Sequence, residues 1–174
     1  MKNFYIFLDF DGTMTDIEFL KKLHDKGIKE GITKIFKPES ITALNYLLET
    51  LSKKYDVNLV ISSTWRRDMD QTIYYLNKNK IRLDLVKNID KTDYFYDENN
   101  KNHRDEEIKQ YLNAKNENKN YVAIDDEAEF FKIPSQNKIV TNIYNHSLDM
   151  QMVKNWFLEF EYYNKFEDEN VFNF

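Results

Sequence analysis

The sequence predicts an α/β fold, a Rossmann-like parallel sheet flanked by helices. Three observations predict it. Short apolar runs alternate along the chain with longer segments of helical periodicity, the pattern of a parallel sheet covered by helices. The apolar runs "FYIFLDF" (4–10), "VNLVISS" (57–63) and "NYVAIDD" (120–126) are near-continuous rather than alternating, as strands buried on both faces are. Each of the three ends in polar, chemically capable residues: Asp9 and Asp11, Ser62 and Ser63, Asp125 and Asp126.

The elements follow in order. The first strand is expected over 4–10, followed by a short flap region in which Asp16 reads as a helix cap. Residues 39–54 place Ile41, Leu44, Leu47, Leu48 and Leu51 at helical spacing, with Pro38 and Ser40 at the opening. A second strand is expected at 57–63, a helix over 67–80 and a short strand at 83–87. The polar stretch 91–103 reads as a loop, and 103–116 as an amphipathic helix with Ile108, Tyr111 and Leu112 inward. A third buried strand at 120–126, a weaker one at 138–143 and a closing helix over 148–163 complete the chain. The length of 174 residues fits one domain, here 1–164, with an acidic, aromatic tail at 165–174.

Composition excludes several classes of function. The chain has no cysteine, so a disulfide framework, a thiolate metal site and a thiol nucleophile are all ruled out. No apolar stretch approaches the ~18 residues of a membrane span, and Met1 leads directly into strand-like sequence, so the expectation is a soluble, cytoplasmic chain without a targeting segment. The net charge of −5 weighs against broad nucleic-acid binding while leaving room for a local basic patch. His24, His103 and His146 sit in polar surroundings without the pairing a metal site needs, and read as surface residues.

In open parallel sheets ligands bind beyond the carboxyl ends of the strands, where chain order reverses. The three polar strand ends would meet there, forming one site with up to four carboxylates and two hydroxyls. So many acids in a small volume need a counter-charge. Oxygen-only ligands suit Mg²⁺, which completes its shell with water and phosphate oxygens. The serine hydroxyls and the backbone N–H groups of "DGT" (Asp11, Gly12, Thr13) and "SST" could hold a phosphate. Gly12 lets the chain turn away at once.

These residues resemble the motifs of the haloacid dehalogenase (HAD) superfamily of phosphohydrolases. "FLDFDGT" resembles its first motif, "LVISS" its second and "YVAIDD" its fourth. The strings "SSTWRR" and "HRDEEIKQYL" are similar to the SSxWR and RxxEI patterns of HAD domains associated with RNA-repair proteins. The resemblance implies a HAD core with minimal or no cap, hence an open site suited to a large substrate. It implies Asp9 as nucleophile and Asp11 as general acid/base. It also implies Mg²⁺ held by Asp9, Asp11 through its carbonyl, and Asp125 or Asp126. Ser62, or alternatively Ser63, would bond the transferring phosphoryl group. Lys101, Arg104 and Lys109 all qualify as the third-motif cation. Arg104 is preferred because it opens the "RDEEI" helix, the alternative role being a surface pair with Glu107. Trp65 and Arg66 could stack on a base and grip phosphate, or be a packed aromatic beside a surface cation. Tyr94, Phe95, Tyr96 and the aromatic closing helix could line the opening, though core packing is the stronger expectation for them. The implied substrate is a phosphorylated one, a nucleotide or nucleic-acid terminal phosphate. The alternatives are an inactive HAD-fold phosphate-binding scaffold, a metal-dependent nuclease that forms no covalent intermediate, and a receiver-type signalling module. The last is disfavoured because the pair with "DGT" comes first in the chain.

Overall fold

The computed structural model describes residues 1–95, 104–117 and 119–170, the side chains of 166–170 excepted. Tyr96, Lys101, His103, most of the expected loop 91–103 and residues 171–174 of the expected tail lie outside the described residues. The described residues form five strands and five α-helices: β1 (Lys2–Leu8), α1 (Ile17–Asp25), α2 (Pro38–Ser52), β2 (Tyr55–Ile61), α3 (Met69–Lys78), β3 (Asn88–Lys91), α4 (Arg104–Ala114), β4 (Tyr121–Asp125), β5 (Lys138–Val140) and α5 (Met150–Asn170). All strand pairs are parallel, in the order β3-β2-β1-β4-β5. No helix among them is long and apolar enough to cross a membrane.

The pleat of β1 sorts its side chains to two faces. Phe4, Ile6 and Leu8 join Val57, Leu59, Ile61, Val122 and Ile124 in a core closed by α2, α3 and α5. Tyr5 and Phe7 point the other way, to Ile108 and Leu112 of α4 and to Ala128, Phe131 and Ile133. Leu44, Leu47 and Leu48 of α2 are fully buried at the expected spacing, each contributing about 1.5–3 kcal/mol of apolar transfer. On α5, Trp156 and Phe160 stack at 5.0 Å and meet Phe4 edge-on at 6.1 and 5.6 Å. They cover the start of β1, the end opposite Asp9, so the closing helix serves the core and not the site opening. That helix runs unbroken through residue 164, with no element boundary at the expected start of the tail.

Three elements differ from expectation. The segment 83–87 is no strand: Leu83–Leu85 form a single 3-10 turn, and Leu83, Leu85 and Val86 pack against the core. The strand lies just beyond, at Asn88–Lys91, half-exposed along one edge of the sheet and therefore without an apolar run. The strand expected at 138–143 stops at Val140, because the chain turns back through an Asn142–His146 bridge. The flap contains α1, a helix not expected from sequence, whose apolar face of Phe19, Leu20 and Leu23 is only half-buried. Its cap was legible: Asp16 accepts from Phe19 N–H at 2.8 Å, and also from Lys37 Nζ and Ser147 Oγ, both at 2.8 Å. Between Asp11 and the start of β2 the chain holds only α1, one turn at Ile32–Lys34 and α2, in keeping with a minimal cap.

Register prepares the site. Leu8 pairs with Ile61 on one side and Ile124 on the other. Asp9 and Ser62, the residues that follow β1 and β2, and Asp125, the last of β4, therefore stand at one level. Ser62 N–H donates to Leu8 O at 3.1 Å and Asp9 N–H to Ile124 O at 3.0 Å. This is the point where the order reverses, β2 lying on one side of β1 and β4 on the other.

Candidate active site

Asp9, Asp125 and Asp126 each offer a carboxylate oxygen within 4.8 Å of the other two. Asp9 and Asp125 are 2% and 1% exposed, so their charges are almost wholly removed from water. Arg104 is the cation facing them. Its Nη1 lies 3.0 Å from Asp9 Oδ1 and donates to Asp125 Oδ2. The second oxygen of Asp125 accepts from Glu127 N–H at 2.8 Å, which fixes that carboxylate from both sides. The preferred third-motif cation is thus at the acids, and the alternative surface pairing with Glu107 is absent. Lys109 instead pairs with Glu106 and Asp105 on the surface of α4.

The electrostatics follow from burial and crowding. Asp9 is held well above the ordinary carboxylate range, first by burial and then by the negative charge of Asp125, with Arg104 opposing. Burial also raises Asp125, again against Arg104. Asp126 is pushed up to about 6 by burial, then by Asp125 and Glu127. The same carboxylates raise the Arg104 guanidinium, keeping it charged. One guanidinium offsets three clustered acids only in part.

Gly12 makes the cluster possible. Its φ is +83°, and a Cβ there would stand 2.8 Å from Asp126 Cγ, so no side chain fits between the first loop and the second acid pair. The Thr13 hydroxyl is 3.0 Å from that of Thr141, pinning the same loop to the strand end after β5. Thr13 N–H is used within the turn, donating to Phe10 O at 3.2 Å. Thr13 therefore shapes the loop that was expected to meet the substrate.

The two serines separate cleanly. Ser63 caps the turn Thr64–Arg67, its Oγ accepting from Trp65 N–H at 3.5 Å. The Ser62 hydroxyl, level with Asp9, makes no hydrogen bond among the described residues. Asp11 is exposed at the mouth of the site, where its Oδ2 accepts from Trp65 Nε1 at 3.3 Å.

Trp65 takes the second of its two expected roles, the packed aromatic, while Arg66 takes neither of its own. One face of the Trp65 indole is stacked on Phe10 at 4.4 Å, and the Lys34 ammonium lies 3.7 Å over the ring. That leaves no open face for a base. Arg66 is buried at 4% exposure and does not grip phosphate: its guanidinium meets both oxygens of Glu107, at 2.7 and 2.8 Å, and donates to Thr92 Oγ1 at 2.7 Å. The Tyr94 ring covers it at 3.8 Å. The pair spans 41 residues and locks α4 to the loop after β2. Thr92 was not singled out from sequence, and Glu107, the acid of the "RDEEI" string, only as a surface partner for Arg104. The arginine of one string meets the glutamate of the other, three residues along the helix from Arg104.

A family model described as the HAD domain in Swiss Army Knife RNA repair proteins matches residues 5–151. No curated protein matches the chain.

Proposed function

Starting from the fact that the chain belongs to the family of HAD domains in Swiss Army Knife RNA repair proteins, we propose that it is a Mg²⁺-dependent phosphohydrolase acting through Asp9. The observation that carries this reading is the meeting of Asp9, Asp125 and Asp126 with Arg104 at the switch point of the sheet. A HAD-type phosphohydrolase in general agrees with the family. The metal, the mechanism and the substrate are the reading argued here.

The donor set fits the metal. An octahedral Mg²⁺ has ligand oxygens about 3 Å apart along edges and about 4 Å apart across, given bonds of about 2.1 Å. Three carboxylate oxygens within 4.8 Å are compatible with that spacing. The donors are all oxygen, and their charge exceeds what Arg104 supplies. Asp9, Asp125 or Asp126, and the Asp11 carbonyl would hold the ion. When bound, Mg²⁺ neutralises charge between the nucleophile and the phosphate.

The chain's own groups do the rest. An Asp9 oxygen attacks phosphorus and the bond to the leaving oxygen breaks, giving an aspartyl-phosphate. Asp11, hydrogen-bonded to Trp65 at the mouth, gives the leaving oxygen its proton. Asp11 then takes a proton from water as that water attacks phosphorus, and the bond to Asp9 breaks, restoring the carboxylate. The free Ser62 hydroxyl bonds the phosphoryl oxygens in transit. Arg104 opposes protonation of Asp9 and orients its carboxylate. The substrate class proposed is a nucleotide or nucleic-acid terminal phosphate, consistent with an open site under a minimal cap.

The test is release of p-nitrophenol from p-nitrophenyl phosphate, with Mg²⁺ and with EDTA, for the wild type and Asp9→Asn. The expected outcome is activity that needs both the metal and Asp9, with the variant down by at least about 10³-fold. A beryllium fluoride adduct that forms on the wild type and not on the variant marks the covalent route. Turnover that persists in Asp9→Asn overturns it.

A further inference from the structure

Beside the candidate active site lies a cavity of about 280 Å³ whose lining includes Lys34, Thr64, Trp65, Arg67, Asp68 and Gln71. Nothing in the reaction scheme above uses it. Lys34 and Arg67 flank it, and neither has a carboxylate partner among the described residues: Lys34 rests on the Trp65 and Tyr75 rings, and Arg67 donates to the Tyr94 hydroxyl. Asp68, the acid of the lining, already accepts from Gln71 N–H at 3.0 Å as the cap of α3. In a chain with 30 acidic and 25 basic residues, Lys34 and Arg67 against the one carboxylate of Asp68 leave the described lining of this cavity net positive. The cavity also touches the reaction site. Its wall is the Trp65 indole, whose Nε1 donates to Asp11, the group assigned to the leaving oxygen.

We infer that this cavity is a second anion subsite, which holds a phosphate carried by the leaving group. The inference rests on the reading of Asp9 and Asp11 above, because that reading sets which side of the scissile bond faces Trp65. A leaving group seated against Asp11 extends toward Lys34 and Arg67. The lysine supplies a mobile point charge and the arginine a planar donor set, both matched to a phosphodiester or phosphomonoester. Substrates whose alcohol bears its own phosphate are therefore favoured over simple monoesters. Nucleoside bisphosphates and oligonucleotide ends share this chemistry.

The experiment is calorimetric titration of the Asp9→Asn protein in Mg²⁺ at low salt with adenosine 3′,5′-bisphosphate, with 3′- and 5′-adenosine monophosphate, and with a phosphorylated dinucleotide. The bisphosphate is expected to bind about tenfold more tightly than either monophosphate, the worth of one charged hydrogen-bonded contact. In a protein that also carries Lys34→Gln and Arg67→Gln, that advantage falls to within about twofold. The wild type in EDTA repeats the comparison without the Asp9 substitution. A dinucleotide that shows the same advantage and the same loss identifies a chain phosphate as an occupant, and a bisphosphate that does so alone identifies a free nucleotide. No advantage in the parent, or an advantage that survives both substitutions, overturns the inference. A bisphosphate preference in a protein that fails to hydrolyse any monoester would leave the subsite standing and remove the hydrolase reading.

Discussion

At the scale of single residues, chemistry at this site depends on what each side chain is prevented from doing. Gly12 is the sharpest case, since its positive φ and its approach to Asp126 both exclude a Cβ. Gly12→Ala is expected to cost about 1–2 kcal/mol in backbone strain and to displace Asp126, weakening Mg²⁺ binding on the order of tenfold. A calorimetric Mg²⁺ titration checks this, and an unchanged affinity would separate Asp126 from the metal. The sequence marked Asp9, Asp11, Asp125 and Asp126 because paired acids after buried strands have no structural reason to be there. It put Ser62 before Ser63 only by resemblance, since the difference between a hydroxyl without a partner among the described residues and a capping one is a matter of register and turn geometry. It also left three cations in contention, and only the placement of α4 brings Arg104 to Asp9.

Between elements, the Arg66–Glu107 pair is the connection that counts. It ties the loop after β2 to the helix that delivers Arg104, in a place too dry for either charge to stand alone. Arg66→Ala is expected to destabilise the fold by about 3–5 kcal/mol, because Glu107 is left buried and unpaired. The joint replacement Arg66→Met with Glu107→Leu should restore most of that stability while leaving turnover lowered, since α4 loses its polar clamp. Urea denaturation set beside p-nitrophenyl phosphate hydrolysis checks both halves, and full recovery of turnover would mean the pair positions nothing. Arg66 was misread from sequence because a local string cannot show a partner 41 residues away. The helices α2 and α4 were legible from their apolar spacing. β3 was not, because an edge strand needs no apolar run, and the nearby leucines that suggested one are packed from a turn. α1 was marked in advance only through its cap, Asp16, because its apolar face of Phe19, Leu20 and Leu23 is short.

Taken whole, the molecule sets two groups of carboxylates against each other. Asp9, Asp125 and Asp126 titrate above their ordinary range in the fold, so the folded state takes up protons more readily than the unfolded chain. Without metal, stability therefore rises as pH falls from 7 toward 5, through the value of about 6 at Asp126. Asp16 and Asp149 are held below their ordinary range by hydrogen bonds and ion pairs, and their contribution is lost as pH falls below about 4. Thermal melts in EDTA should thus peak between about pH 4 and 6. In saturating Mg²⁺ the rise from pH 7 to 5 should vanish, since the ion favours the ionised acids. Identical curves in the two buffers would deny a metal at this cluster. The fold class was legible because strand and helix alternate so plainly, while the sheet order was not, since it is written in pairings far apart in the chain. That order has a consequence for how the protein is made. β1 is made before both of its neighbours, β2 and β4, which begin at residues 55 and 121. This apolar, aromatic strand must wait, uncovered on one edge, until β4 has been made more than a hundred residues later. Such long-range closure slows folding and exposes nascent chains to one another. The centre of the sheet, the platform for Asp9, is thus the stretch where a chaperone would have most to do.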